Sequence, residues 1–219
     1  MPSRETQNLI VDTAIRLFNE LGASAVSTNR IADECQISRG NLHYHFRNKE
    51  EIILLIFARI VEEMDGWYTD HEHPSMGHMY WMFSRYMGLM WRYRFFYREL
   101  VPLLQRDPDL KQLFQENLDK RIKEIELFFE QMIAKGLLLR PPEPVSLSSL
   151  VRVSWFVSDY WLYFLNIHDK DLTQANIEEG YMLITQMLEP YFSPEAKVEQ
   201  DKVLKSIRVG GGLENALQS

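Results

Sequence analysis

The chain has 219 residues, 46% hydrophobic and 12% aromatic, a composition that fits a folded protein with a sizeable core and excludes a disordered chain. Its net charge is -7, and a single cysteine, Cys35, excludes an internal disulfide and points to a reducing compartment. No apolar run approaches the roughly 20 residues of a membrane span. Arg4, Glu5 and Asn8 interrupt the first turns where a secretory signal would be apolar, so the expectation is a cytoplasmic protein with no membrane partner.

Helical spacing dominates from the first residues. Ile10, Ala14, Leu17, Phe18 and Leu21 share one face of a helix that stops at Gly22. Ser27 or Thr28 then caps a short helix carrying Ile31, Ala32 and Cys35. Gln36 and Ile37 make a tight break, and Ser38 caps a second short helix in which Leu42 and Phe46 recur at four-residue spacing. The other face of that helix carries Arg39, Asn41, His43 and His45. A short capped helix, a tight break and a polar, cationic helix form the helix-turn-helix pattern, whose second helix enters the major groove of DNA.

Asn48, with acidic Glu51 three residues on, opens a connecting helix predicted to reach about residue 68. Residues 71–75 break it. Helices follow over 76–91 and, shorter, through Phe95, Phe96, Leu100 and Leu103. Asp107-Pro108 starts a long helix bearing Leu110, Leu113, Phe114, Leu118, Ile122, Ile125, Phe129 and Ile133, which stops near Gly136. The proline-rich stretch 140–144 is a loop. Ser146 caps a helix to about Ile167, Thr173 caps another to about Phe192, and Ser193-Pro194-Glu195 opens one more short helix. The tail with Gly210, Gly211 and Gly212 reads as mobile. No stretch sustains the alternation of a strand, so the fold class is all-α.

The run Leu17-Phe18, Gly22, Ile31-Ala32, Ser38-Arg39-Gly40, Leu42, His45-Phe46 and Lys49-Glu50 resembles, in order and spacing, the TetR (tetracycline-repressor-like) family of bacterial transcription regulators. The resemblance covers about residues 4–57. It departs at His43, where the family usually has tyrosine, and at Asn41, where small residues are common. It implies an N-terminal three-helix helix-turn-helix head, here 1–47, and a C-terminal helical ligand-binding and dimerisation bundle, 48–192, followed by an extension, 193–219.

For the head, the resemblance assigns base or groove contact to Asn29, Arg39, Gly40, Asn41 and His43, and phosphate contact to Thr28, Tyr44, His45 and Lys49. The chemistry agrees. Arg39 suits a two-point bond to guanine and Asn41 to adenine, and Gly40 lets the backbone approach. His45 has a second reading, orienting the helix by a local hydrogen bond. One head buries little surface, so specific binding to a palindromic operator in double-stranded DNA implies a homodimer. The first fifty residues hold six basic and six acidic side chains, so the acidic excess lies wholly in the remainder. A neutral head on an acidic body turns the head toward phosphate.

For the body, Val151, Ser154, Trp155, Ser158 and Leu162 form one stripe, and Ile177, Tyr181, Ile184, Leu188 and Tyr191 a second. They read as the dimer interface, two helices from each subunit, or else as faces of the subunit's own core. Trp67, Trp81, Phe83, Met87, Trp91 and Phe96 belong to an aromatic and methionine-rich stretch that reads either as core or as a pocket for an apolar or aromatic effector. The resemblance places an effector pocket there, with ligand binding tilting the connecting helix. Arg85, Arg92, Arg94 and Arg98 offer an acidic effector partners or are solvated faces. Asp70, His71, His73, Met76 and His78 are a weak metal-ligand constellation, better read as a hydrated loop. No cofactor is implied. With no phosphate-binding glycine loop and no recognisable nucleophile setting, the chain does not read as an enzyme. The alternative function is a small-molecule-binding helical protein without DNA-binding activity.

Overall fold

Side-chain caps start most of the helices. In the computed structural model, which describes residues 3–68 and 74–208, Ser3 accepts a bond from Thr6 N and opens α1 (Arg4–Leu21). Ser27 opens α2 (Thr28–Glu34), Ser38 opens α3 (Arg39–His45) and Asn48 opens α4 (Lys49–Met64). There follow α5 (Met76–Arg92), α6 (Arg94–Arg98), α7 (Leu100–Arg106), α8 (Pro108–Ala134), α9 (Leu147–Ile167), α10 (Gln174–Leu188), a 3-10 turn (Glu189–Tyr191) and α11 (Pro194–Arg208). Asp107 Oδ1 caps α8 through Asp109 N and Leu110 N, each at 3.0 Å. Ser146 and Thr173 cap α9 and α10 as predicted. The fold is all-α: among the described residues the β-type pairing is a bridge between Leu138 and Phe192.

The chain divides into two compact units. One comprises the residues up to Asp65 with Arg92–Asn117; the other comprises Gly66–Trp91 with the residues from Leu118 onward. In the first unit, α1 packs on α2, α4 and α6. Ile10, Val11, Ala14, Leu17 and Phe18 are buried, and Phe18 meets Phe95 with ring centroids 5.0 Å apart. Leu21, predicted on the same face, is 42% exposed because it sits at the helix end, past the covered part of that face. Gly22 is required twice over. Its φ is +84°, and a Cβ there would stand 3.0 Å from Glu99 Oε1, which accepts from Ala23 N at 2.7 Å.

Several predicted boundaries move, among them α10, which ends at Leu188 rather than near Phe192. The connecting helix α4 stops at Met64 rather than near Tyr68, because Gly66 turns with φ +82°. The single helix expected through Phe95–Leu103 is two, meeting at Glu99. In a continuous helix the ring of Pro102 would clash with the carbonyl of Arg98, whereas in α7 the proline sits in the first turn, where its missing N–H costs nothing.

In the second unit, α9 and α10 pack so closely that a Cβ on Gly180 would lie 2.5 Å from the Trp161 ring. Trp161 Nε1 donates to Asn176 O at 2.8 Å, which fixes the ring in that slot. The helix opened at Pro194 runs fifteen residues rather than forming a short piece, and it buries Ala196, Gln200, Val203 and Leu204. Tyr181 hydroxyl donates to Gln200 Oε1 at 3.0 Å, tying α10 to α11. The glycine tail lies outside the described residues.

Candidate nucleic-acid interface and ligand cavity

The helix-turn-helix is closed by local bonds. Gln36 adopts φ +56° and Ile37 N reaches back to Ala32 O at 3.1 Å, a turn tight enough to set α3 across α2. Ile31, Ala32, Leu42 and Phe46 are buried beneath the pair. That burial leaves Arg39, Gly40, Asn41, His43 and Tyr44 exposed on α3, with Asn29 exposed on α2 and Thr28 half-buried. Arg39, Asn41 and His43 side chains make no hydrogen bond or ion pair with another described residue, so their donors are uncommitted. A Cβ on Gly40 would find nothing closer than Ser38 Oγ at 4.0 Å. Nothing inside the chain therefore requires glycine there.

The remaining head residues are placed differently. Lys49 is half-buried, and its ammonium donates to Ala23 O at 2.5 Å and Val26 O at 3.1 Å, holding the α1–α2 loop and leaving one N–H. His45 is half-buried; its Nδ1 has no hydrogen-bond partner among the described residues, so no local bond orients α3 through that atom. Its ring packs edge-on to Tyr44 at 5.7 Å. Arg16 is spent on Glu34 at 2.5 Å, and Arg59 on Asp12 at 2.6 Å. Arg30 on α2 and Arg47 just past α3, which sequence reasoning passed over, are exposed cations with no side-chain partner among the described residues. Their signal was charge alone, which does not tell an anchored arginine from a free one.

In the second unit a cavity of about 70 Å³ opens among α5, α8, α9 and α10. Its walls include Tyr68, Met79, Met82, Phe83, Tyr86 and Trp155. Of the predicted pocket residues, Phe83 lies there. Trp67 and Trp81 pack edge to face at 6.1 Å instead, with the Arg85 guanidinium 5.7 Å and 5.4 Å from their ring centres. Met87 is sealed in the core, Trp91 is half-buried outside the cavity walls, and Phe96 belongs to the first unit, stacked on Phe57 at 5.5 Å. The periodicity showed that these residues turn inward; it did not separate a wall from solid packing. The other arginines weighed for an acidic effector are engaged, Arg92 with Glu63 at 2.7 Å and Arg98 with Asn19 O at 2.7 Å.

The predicted dimer stripes divide the same way. Val151, Ser154, Leu162, Tyr181, Ile184 and Leu188 are buried within the unit. Trp155 and Ser158, with Ser154 and Ile184, line the cavity. A different face of α9 is exposed and apolar: Val153, Phe156 at 66%, Tyr160 at 63%, Tyr163 and Ile167 at 64%. Their spacing alternates three and four, the repeat of a helix-pairing seam. Of the weak metal constellation, Asp70, His71 and His73 lie outside the described residues. His78 is buried, with Nε2 2.9 Å from Trp67 O. Among the described residues no group of three His, Cys, Asp or Glu stands together as a metal site, and no helix is long and apolar enough to cross a membrane.

Comparison with known proteins bears on this geometry. Residues 10–56 match the profile of bacterial regulatory proteins of the tetR family, and residues 59–199 match the TetR profile described as bacterial transcriptional repressor. The chain therefore belongs to the TetR family, a family of DNA-binding transcriptional regulators rather than enzymes. It is 30% identical to a TetR-family transcriptional regulator from Marinobacter aquaeolei VT8, with a TM-score of 0.81 over 93% of this chain and 97% of that one. The fatty acid degradation regulator FadR from Bacillus halodurans shares the fold, with a TM-score of 0.65 at 14% identity over 84% of this chain and 96% of that one. The regulator YuxN of Bacillus subtilis is 39% identical over 51 residues, 23% of this chain. The alignments with YuxN, YerO and AcrR span only 17–23% of those proteins' lengths.

Proposed function

We propose that the chain is a dimeric, ligand-responsive repressor that binds a palindromic operator and leaves it when a small, largely apolar effector enters the cavity of the second unit. The observation that carries this reading is the outward face of α3, where Arg39, Asn41 and His43 stand exposed beside a glycine that no internal contact requires. Arg39 and Asn41 read bases, with Asn29 and His43 beside them. Thr28, Tyr44 and His45, joined by Arg30 and Arg47, meet phosphates, and Lys49 contributes its remaining N–H. The dimer forms through the exposed α9 seam around Phe156 and Tyr160, which sets two heads one turn of DNA apart or a multiple of it. The SmeT protein was solved with triclosan, and other relatives of the same fold are fatty acid regulators, which supports an effector with an apolar body. Effector entry shifts α5. That helix ends at Arg92, whose carbonyl accepts from Asn19 Nδ2 on α1 at 2.8 Å. In the proposed division of labour, residues 1–47 bind DNA, 48–192 bind effector and partner, and the segment from 193 braces the bundle.

A gel shift with the duplex upstream of the protein's own gene tests the reading. Binding is expected to be salt-dependent, and Arg39→Ala is expected to weaken it by about 1–3 kcal/mol, roughly five- to 150-fold, with unchanged melting. Net charge -7 motivates the second reading, a helical ligand-binding protein that has no DNA partner. Absence of any shift across upstream and scanned genomic duplexes would favour it.

A further inference from the structure

Asp159 lies on α9, one helical turn beyond Trp155. Tyr86 hydroxyl donates to its Oδ1 at 2.5 Å, and the Trp155 side chain, one turn back, acts as a second neutral donor that lowers its pKa. Both donors are walls of the cavity. Burial pushes the Asp159 carboxyl up to about 6, while the two neutral donors pull it back down. It is thus ionised at neutral pH, and no Lys, Arg or His among the described residues pairs with it. On α8 the fully buried Arg121 pairs with Glu124 at 2.8 Å, and Lys120 stands 3.9 Å from the same carboxylate; neither cation pairs with Asp159.

The rest of the lining points the same way. The ring faces of Tyr68, Phe83, Tyr86 and Trp155 carry the negative lobe of the aromatic quadrupole, which attracts cations. The hydroxyls of Ser154 and Ser158 donate to Leu150 O and Ser154 O, each at 2.9 Å, so both present oxygen rather than hydrogen to a ligand. An arriving carboxylate would meet a second anion and few donors.

We propose that the cavity takes a lipophilic monocation, an ammonium on an apolar body, whose N–H groups displace the Tyr86 hydroxyl and pair with Asp159. The proposal rests on reading the cavity as the effector site. The apolar body enters by displacing Met79 and Met82, whose unbranched thioether chains re-pack readily.

The test is calorimetric titration of the full-length protein, near neutral pH, with phenylbutylamine, phenylbutanol and phenylbutanoate, one skeleton with three heads. The amine is expected to bind at least about tenfold tighter than the alcohol, and the carboxylate weakest. Asp159→Asn is expected to bring the amine down to the alcohol's affinity and leave the alcohol unchanged, with folding checked by melting. Tyr86→Phe, which frees the carboxylate, is expected to keep or sharpen the amine's preference, and it decides the matter should Asp159→Asn not fold. Equal or tighter binding of the carboxylate overturns the proposal, as does an amine preference that survives Asp159→Asn or vanishes in Tyr86→Phe. Binding of the alcohol and carboxylate without the amine leaves the effector cavity standing and removes the cation; silence from all three removes both.

Discussion

At the scale of single residues, the buried polar groups make the sharpest demands. Asp159 has a carboxyl near 6 in the fold against about 3.9 unfolded, so between those values the folded state holds the proton more tightly. Stability therefore falls as pH rises from about 4 to about 6 and then levels off. Asp159→Asn removes that loss. Its melting temperature is expected to match the parent at pH 4 and to exceed it near pH 8, by roughly 1–2 kcal/mol in stability after discount for partial exposure. Melting curves across pH check this. Lys49 makes a second demand, since two carbonyls depend on its ammonium. Lys49→Met leaves both without that donor and is expected to cost about 1–3 kcal/mol. If the third N–H also meets a phosphate, the salt slope of operator binding falls by about 1, so melting and salt titration together separate the two roles. The sequence suggested only the phosphate role, because the motif places the lysine while the loop carbonyls that claim it come from a distant turn.

Helices and their junctions show where local signals suffice. Ser27, Ser38, Asn48, Asp107, Ser146 and Thr173 cap their helices as predicted, because a cap is decided within three residues. Gly66 and Pro102 were equally local, and reading them would have shortened α4 and split α6 from α7. The α9–α10 packing has no such local mark. Trp161 fills the groove that Gly180 leaves. Gly180→Ala, ordinarily helix-favouring, is expected to destabilise here by about 1–3 kcal/mol through overpacking, measured by denaturant titration. The gain of about 1 kcal/mol expected from propensity alone would instead show that the ring yields freely.

For the whole molecule, the issue is which apolar face meets a partner. The α9 seam from Val153 to Ile167 is exposed, whereas most of the stripe predicted for the interface is consumed inside the unit. Phe156→Glu with Tyr160→Glu would place two charges in the proposed seam. The pair is expected to convert a dimer to a monomer by sedimentation, with melting of the isolated subunit little changed, and to weaken operator binding far more than Arg39→Ala does. A double variant that still sediments as a dimer would move the interface elsewhere.

The all-helical class, the order of the elements and the family were settled by sequence, because capping, helical periodicity and the spacing of Gly22, Ser38, Gly40 and Phe46 are properties of short stretches read one after another. Tertiary structure decided which of two apolar faces of α9 turns inward, which aromatic residues wall a cavity, and that Lys49 is tied to the α1–α2 loop. Periodicity fixes the angle between side chains on one helix, but what each side chain meets is set by residues brought beside it from far along the chain.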